Sequence, residues 1–149
     1  MPTNILRNRN TPVRKPAEAA QAAPARRHVV ITAGRIAIRA ELLDTETANR
    51  VWTALPIYST AETWGASIHF ETPVETGRER GARALTETGD ICFWTEDDRI
   101  IIVFGPTPIA KGAELRLPKP CNVWAKAIDD VTRLKTVTPG EKVSVVAAA

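Results

Sequence analysis

Histidine, cysteine and glycine are all scarce in this chain of 149 residues: two, two and eight of each. Two histidines far apart, His28 and His69, cannot by themselves assemble a zinc site, and two cysteines cannot make a four-thiolate one. No glycine-rich loop of the phosphate-cradling kind occurs, and no Ser-centred nucleophile elbow. No apolar run approaches the roughly 18 residues that a membrane-spanning helix needs. The amino-terminal segment has basic residues but no apolar stretch of secretory type, and Arg26-Arg27 lacks the context of a twin-arginine signal. Cys92 and Cys121 both sit among apolar neighbours. They read as reduced, buried thiols of a cytoplasmic protein, since neither has a local base to activate it.

The charge is unevenly placed. Residues 1–28 hold Arg7, Arg9, Arg14, Lys15, Arg26 and Arg27 against Glu18 alone, so the net +3 of the chain resides there and the remainder is mildly acidic. That segment is rich in Pro and Ala, carries no aromatic residue and has little apolar surface to offset ordering entropy. It reads as a basic tail, disordered alone or held by a protein partner. Nucleic-acid binding is disfavoured, because the folded part lacks a basic face interleaved with aromatics.

Residues 29–149 read as one β-rich domain. Its densest signal is Gly89 to Pro106, where two β-branched and aromatic runs flank the charged break Glu96-Asp97-Asp98-Arg99, the pattern of a hairpin. Ile100 to Phe104 has no polar member, so both faces of that strand should be covered. Upstream, residues 29–43 predict two strands around Ala33-Gly34. Asp44 or Thr45 then caps a helix from Glu46 to Leu55, stopped by Pro56, with Trp52 as a core anchor. Trp64 to Phe70 alternates, placing Trp64, Ala66, Ile68 and Phe70 on one face and Ser67, His69 and Glu71 on the other. Arg78 to Thr88 predicts a loop or bulged strand. Ala113–Leu117 and Asn122–Ala127 predict two strands, Asp129-Asp130 a capped helical turn, and Lys142–Val146 a closing strand.

The spaced pieces Ala40-Glu41-Leu42-Leu43-Asp44, Thr47-Ala48, Leu55-Pro56, Trp64-Gly65 with Ile68 and Phe70, Gly89-Asp90-Ile91 with Trp94, Phe104-Gly105-Pro106-Thr107-Pro108 and Asn122-Val123 together resemble the cyclophilin-like domain of small bacterial and archaeal proteins. The resemblance spans roughly residues 29–146. It implies a mainly β fold, a closed eight-stranded barrel with one or two short capping helices behind an extended N-terminal tail. It does not imply proline isomerisation, because the Phe-His-Arg and Gly-Gly-Asp segments of true cyclophilins are missing. Val123-Trp124-Ala125-Lys126 is similar to a cyclophilin strand, but Cys121 stands where those enzymes have histidine. In the sibling family acidic residues commonly follow Trp-Gly; here Ala66 and Ser67 do.

These readings converge on a noncatalytic binding module, or an accessory subunit of a larger bacterial assembly. By analogy such barrels resemble subunits of allophanate-hydrolase-type and oxoprolinase-type assemblies. Trp64, His69, Phe70, Glu71, Phe104 and Trp124 form the candidate groove on the barrel wall, with core packing as the competing role for the aromatics. The cationic tail residues named above are the candidate partner-binding arm, and a homo-oligomer is compatible with the sequence. No catalytic residue, metal or cofactor is assigned: His69 and Glu71 make only a pair, and Glu96-Asp97-Asp98 lacks a calcium loop. The alternatives are a small-molecule-binding protein or enzyme using His69, Glu71 and Trp64, and a divergent peptidyl-prolyl isomerase.

Overall fold

In the computed structural model, which describes residues 26–148, β1 (His28–Ala33) and β2 (Ile36–Leu42) form the first hairpin. Their alternation sends Val29, Ile31, Ile38 and Ala40 inward, all fully buried. Helix α1 (Glu46–Ala54) follows, with Thr45 as its cap: the Ala48 amide donates to the Thr45 hydroxyl at 3.1 Å. Ala48 and Val51 are buried in the core, whereas Trp52 is only half-buried at its rim. Trp52 therefore anchors less than expected; the Arg27 guanidinium lies over its ring, 5.7 Å from the centroid.

The barrel closes at a single residue. β3 (Ile57–Thr60) pairs with the last strand, β10 (Lys142–Ala147), and β4 (Glu62–Thr63) pairs with β5 (Ser67–Glu71). Only Ala61 separates β3 from β4, and it is bonded on both sides, its amide to the Glu141 carbonyl and its carbonyl to the Gly140 amide, each at 2.8 Å. The remaining strands are β6 (Arg83–Thr86), β7 (Asp90–Trp94), β8 (Arg99–Val103) and β9 (Leu115–Ala127). The order is β3-β10-β1-β2-β9-β7-β8-β5-β4, every neighbouring pair antiparallel, with β6 added to β9. With β3 and β4 counted as one bent strand, the ring has the expected eight staves.

The hairpin 90–103 runs through the middle of this wall, and the apolar run Ile100–Val103 of β8 is covered on both faces as its sequence requires. Ile100 and Ile102 enter the main core with Phe70, Phe93 and Trp124. Ile101 and Val103 face outward into a second cluster with Cys92, Leu117, Cys121 and Val123. The first half of β9, paired with β6, lies beside that outer cluster. Here the expectation of two separate strands is corrected: β9 is one strand of 13 residues despite Pro118 and Pro120. Those prolines fall where the β6–β9 ladder slips, between the pairs Leu85–Arg116 and Arg83–Cys121, so no ladder donor is required of them.

A short 3-10 helix (Val131–Thr136), capped by Asp130, inserts Val131 and Leu134 into the core. The long segment between β5 and β6 is pinned by Asn122. Its side chain accepts from the Glu79 amide (2.8 Å) and donates to the Thr47 hydroxyl (3.0 Å) and the Gly77 carbonyl (2.9 Å). Thr47 in turn donates its amide and hydroxyl to the Glu79 carboxylate. Both thiols are free and buried; burial pushes Cys92 up to about 12 and Cys121 well above the ordinary range. The expected tail, residues 1–28, lies outside the described residues except for its last three. Of these, Arg26 pairs with Glu41 at 3.4 Å and Arg27 donates to the Leu43 carbonyl at 3.5 Å.

Candidate functional site

The outer face of the β4-β5-β8-β7 wall carries a cavity of about 240 Å³. Its floor is His69, which faces out from β5 because Ile68 and Phe70 on either side face in. Arg99 opens β8 and is in register with Trp94 on one neighbour and Glu71 on the other. Trp64 and Trp94 line it with aromatic rings, Glu62 and Asp97 supply carboxylates, and Pro118 of β9 completes the lining.

Trp64 reaches this cavity because the chain reverses at Gly65. The φ of +60° there belongs to the left-handed region, and an added Cβ would sit 2.9 Å from the Thr107 Cα and 2.7 Å from Pro108 Cδ. The turn is locked by the buried Ser67, whose hydroxyl donates to the Trp64 carbonyl at 2.6 Å, while the Trp64 amide donates to the Ser67 carbonyl at 3.2 Å. The alternation drawn through Trp64 is corrected accordingly: β5 begins only at Ser67, and Trp64 lines the outer cavity with His69 rather than sharing the inner face of Phe70.

Electrostatics fixes the state of the histidine. Arg99 lies 3.2 Å from Glu62 and 3.8 Å from Asp97, and its guanidinium is 3.3 Å from His69 Nδ1. A guanidinium can only donate, so Nδ1 is the acceptor and the ring is neutral with its proton on Nε2. Burial and the adjacent Arg99 charge lower the His69 pKa, against the smaller upward pull of Glu62 and Asp97. The ring also stands edge-on to Trp94, centroids 6.0 Å apart and planes at 72°. His69 is therefore expected to titrate below its ordinary value of about 6.5, and Arg99→Gln to raise it part of the way, as followed by NMR of the ring protons. Because the unfolded chain binds this proton first, the contribution of His69 to stability is present above pH 6.5 and is lost as the pH falls toward the lowered native pKa.

The other candidate groove residues lie elsewhere. Phe70 and Trp124 are fully buried in the main core and Phe104 packs half-buried against it. Glu71 is exposed beside a separate depression shared with Tyr58 and Lys142. Of the six, the cavity gathers only Trp64 and His69; Trp94, Arg99, Glu62, Asp97 and Pro118 were not anticipated. Trp94 and Arg99 were readable in principle, since a hairpin turn at 95–98 makes them a cross-strand pair. Among the described residues, no group of three His, Cys, Asp or Glu is placed to hold a metal ion, and no helix is long and apolar enough to cross a membrane.

A family model described as cyclophilin-like matches residues 27–146, so the chain belongs to the cyclophilin-like family. Among solved structures, it is similar to a hypothetical protein from Archaeoglobus fulgidus determined in solution. The two share 31% sequence identity with a TM-score of 0.74, over 85% of this chain and 98% of that one. No curated protein sequence matches.

Proposed function

We propose that this protein is a noncatalytic binding module, an accessory subunit that recognises a protein partner through the cavity walled by Trp64 and Trp94. The observation that carries the reading is the state of Arg99. Its guanidinium is engaged by two carboxylates and a neutral imidazole, so among the described residues lining the cavity no uncommitted cation remains to polarise an amide. Both thiols are buried and held protonated, so they offer no nucleophile. The cavity, at about 240 Å³, is also smaller than the roughly 300–1,000 Å³ usual for a small-molecule site. It suits a side chain or two of a peptide, with aromatic walls to stack on and a polar floor to fix register. Two reduced thiols favour a reducing compartment, the cytoplasm.

The test is a photo-crosslinking amino acid introduced at Trp64 in the cell that makes the protein. The reading expects one defined protein adduct, missing when the same group is placed at Tyr58 on the outer face of β3. No adduct at Trp64, or the same adducts at both positions, overturns it. In a protease-coupled assay, prolyl isomerisation is expected to run at the uncatalysed rate; acceleration that Arg99→Gln abolishes would replace this reading with an isomerase.

A further inference from the structure

We infer that two copies of this protein associate edge to edge through β6, paired antiparallel about a two-fold axis at Leu85. The partner on this strand margin is a second copy of the same chain, and the inference stands apart from the role of the cavity.

The open margin comes first. β6 pairs with β9 and, among the described residues, with no other strand. Its second margin therefore presents unpaired amides and carbonyls, the feature through which one strand adds to another. Such margins are commonly blunted by proline, lysine or a bulge in the edge strand itself. Residues 82–88, Ala-Arg-Ala-Leu-Thr-Glu-Thr, contain no proline and no lysine. The slip in the β6–β9 ladder also belongs to the partner strand, because Arg83 to Leu85 of β6 runs against Cys121 to Arg116 of β9. The surplus residues are those of β9. β6 itself keeps a strict alternation, exposed at Arg83, Leu85 and Glu87 and more covered at Ala84 and Thr86.

Charge says what pairs there. The exposed face reads cation, apolar, anion, and Leu85 is 44% exposed at its centre. Among the described residues, neither the Arg83 guanidinium nor the Glu87 carboxylate has an ion-pair partner. The backbone of Glu87 is fixed, its amide donating to Asp90 Oδ2 and its carbonyl accepting from the Asp90 amide, each at 3.0 Å. Antiparallel pairing of two such strands about Leu85 sets Arg83 of each copy directly opposite Glu87 of the other, so the ion pair forms twice. It also brings the two Leu85 side chains together on the axis, directly opposed side chains standing about 5 Å apart. Moving the axis to Ala84 or Thr86 separates Arg83 from Glu87, so a single register satisfies both charges and the exposed leucine. The paired segment is short, which places the complex among weak ones, with a dissociation constant between about 1 µM and 1 mM.

The test follows the full chain by sedimentation equilibrium from about 10 µM to 1 mM, inside that range. The average mass is expected to climb from one chain toward two. Arg83→Glu and Glu87→Arg, each alone, oppose like charges at both positions and should weaken association at least about tenfold. The double variant Arg83→Glu/Glu87→Arg should restore it. Mixed together, the two single variants should associate with each other although neither does so alone, because each then meets the opposite sign. That mixture also shows both variants to be folded. In amide NMR spectra, the signals that move with concentration should be those of residues 82–88. A chain that stays monomeric throughout, an association that neither single substitution weakens, a mixture that fails to associate, or concentration-dependent signals confined to other residues each overturn the inference.

Discussion

Replacement of Trp124 by alanine is expected to lower stability by about 3–5 kcal/mol, the range for deleting a large buried aromatic side chain. Thermal or urea unfolding of the two proteins measures it, and a change below about 1 kcal/mol would contradict the placement of Trp124 inside the barrel. The residue is fully buried among Phe70, Phe93 and Ile100, so truncation opens a void that the rigid strand ladders cannot fill. Its indole nitrogen has no hydrogen-bond partner. Trp124→Phe therefore forfeits volume but no polar contact, and should retain well over half of the lost stability. Core and site separate here: Trp64→Ala should abolish partner capture by a crosslinker placed instead at Asp97, on the same cavity, at a far smaller cost in stability.

Asn122→Ala is the second large effect, about 3 kcal/mol, and Asn122→Leu should do no better. One side chain satisfies an amide and a carbonyl of the segment 77–79 and a hydroxyl of α1. Removing it leaves each of those groups wanting a partner, at about 1 kcal/mol or more apiece. Thr47→Val acts on the same network, since Thr47 bridges Asn122 to Glu79. The double variant should then cost clearly less than the sum of the singles. Additive losses would show the contacts to be independent. Because the network holds residues 77–79 against α1 and β9, hydrogen exchange in that segment should quicken in either variant.

Legibility differed along the chain. Strand periodicity placed β1, β2, β7, β8 and β10 because each buries alternate or all side chains and its sequence shows that directly. Pro118 and Pro120 concealed β9, since a missing donor is harmless only at a ladder slip, and slips are set by the partner strand. Trp64 was put on the wrong face for a related reason: a left-handed Gly65 resets the alternation, and two-residue periodicity cannot see it. The aromatics Phe70 and Trp124 were weighed as groove walls or core, and tertiary packing decides between those roles. Arg99, Glu62 and Asp97 looked like ordinary turn and strand-end charges. They become a site only when β4, β5, β7 and β8 are laid side by side, which brings together residues 37 positions apart.

The strand pairing has a consequence for biosynthesis. β10 is the stave between β1 and β3, so the nascent chain presents two unpaired sheet margins from the time those segments emerge until residues 142–147 have been translated. Until then it is an unfinished cylinder liable to pair with a neighbouring polypeptide. Ribosome-arrested chains ending before Lys142 should accordingly need holdase protection, and those extended past Ala147 with enough linker to clear the exit tunnel should not.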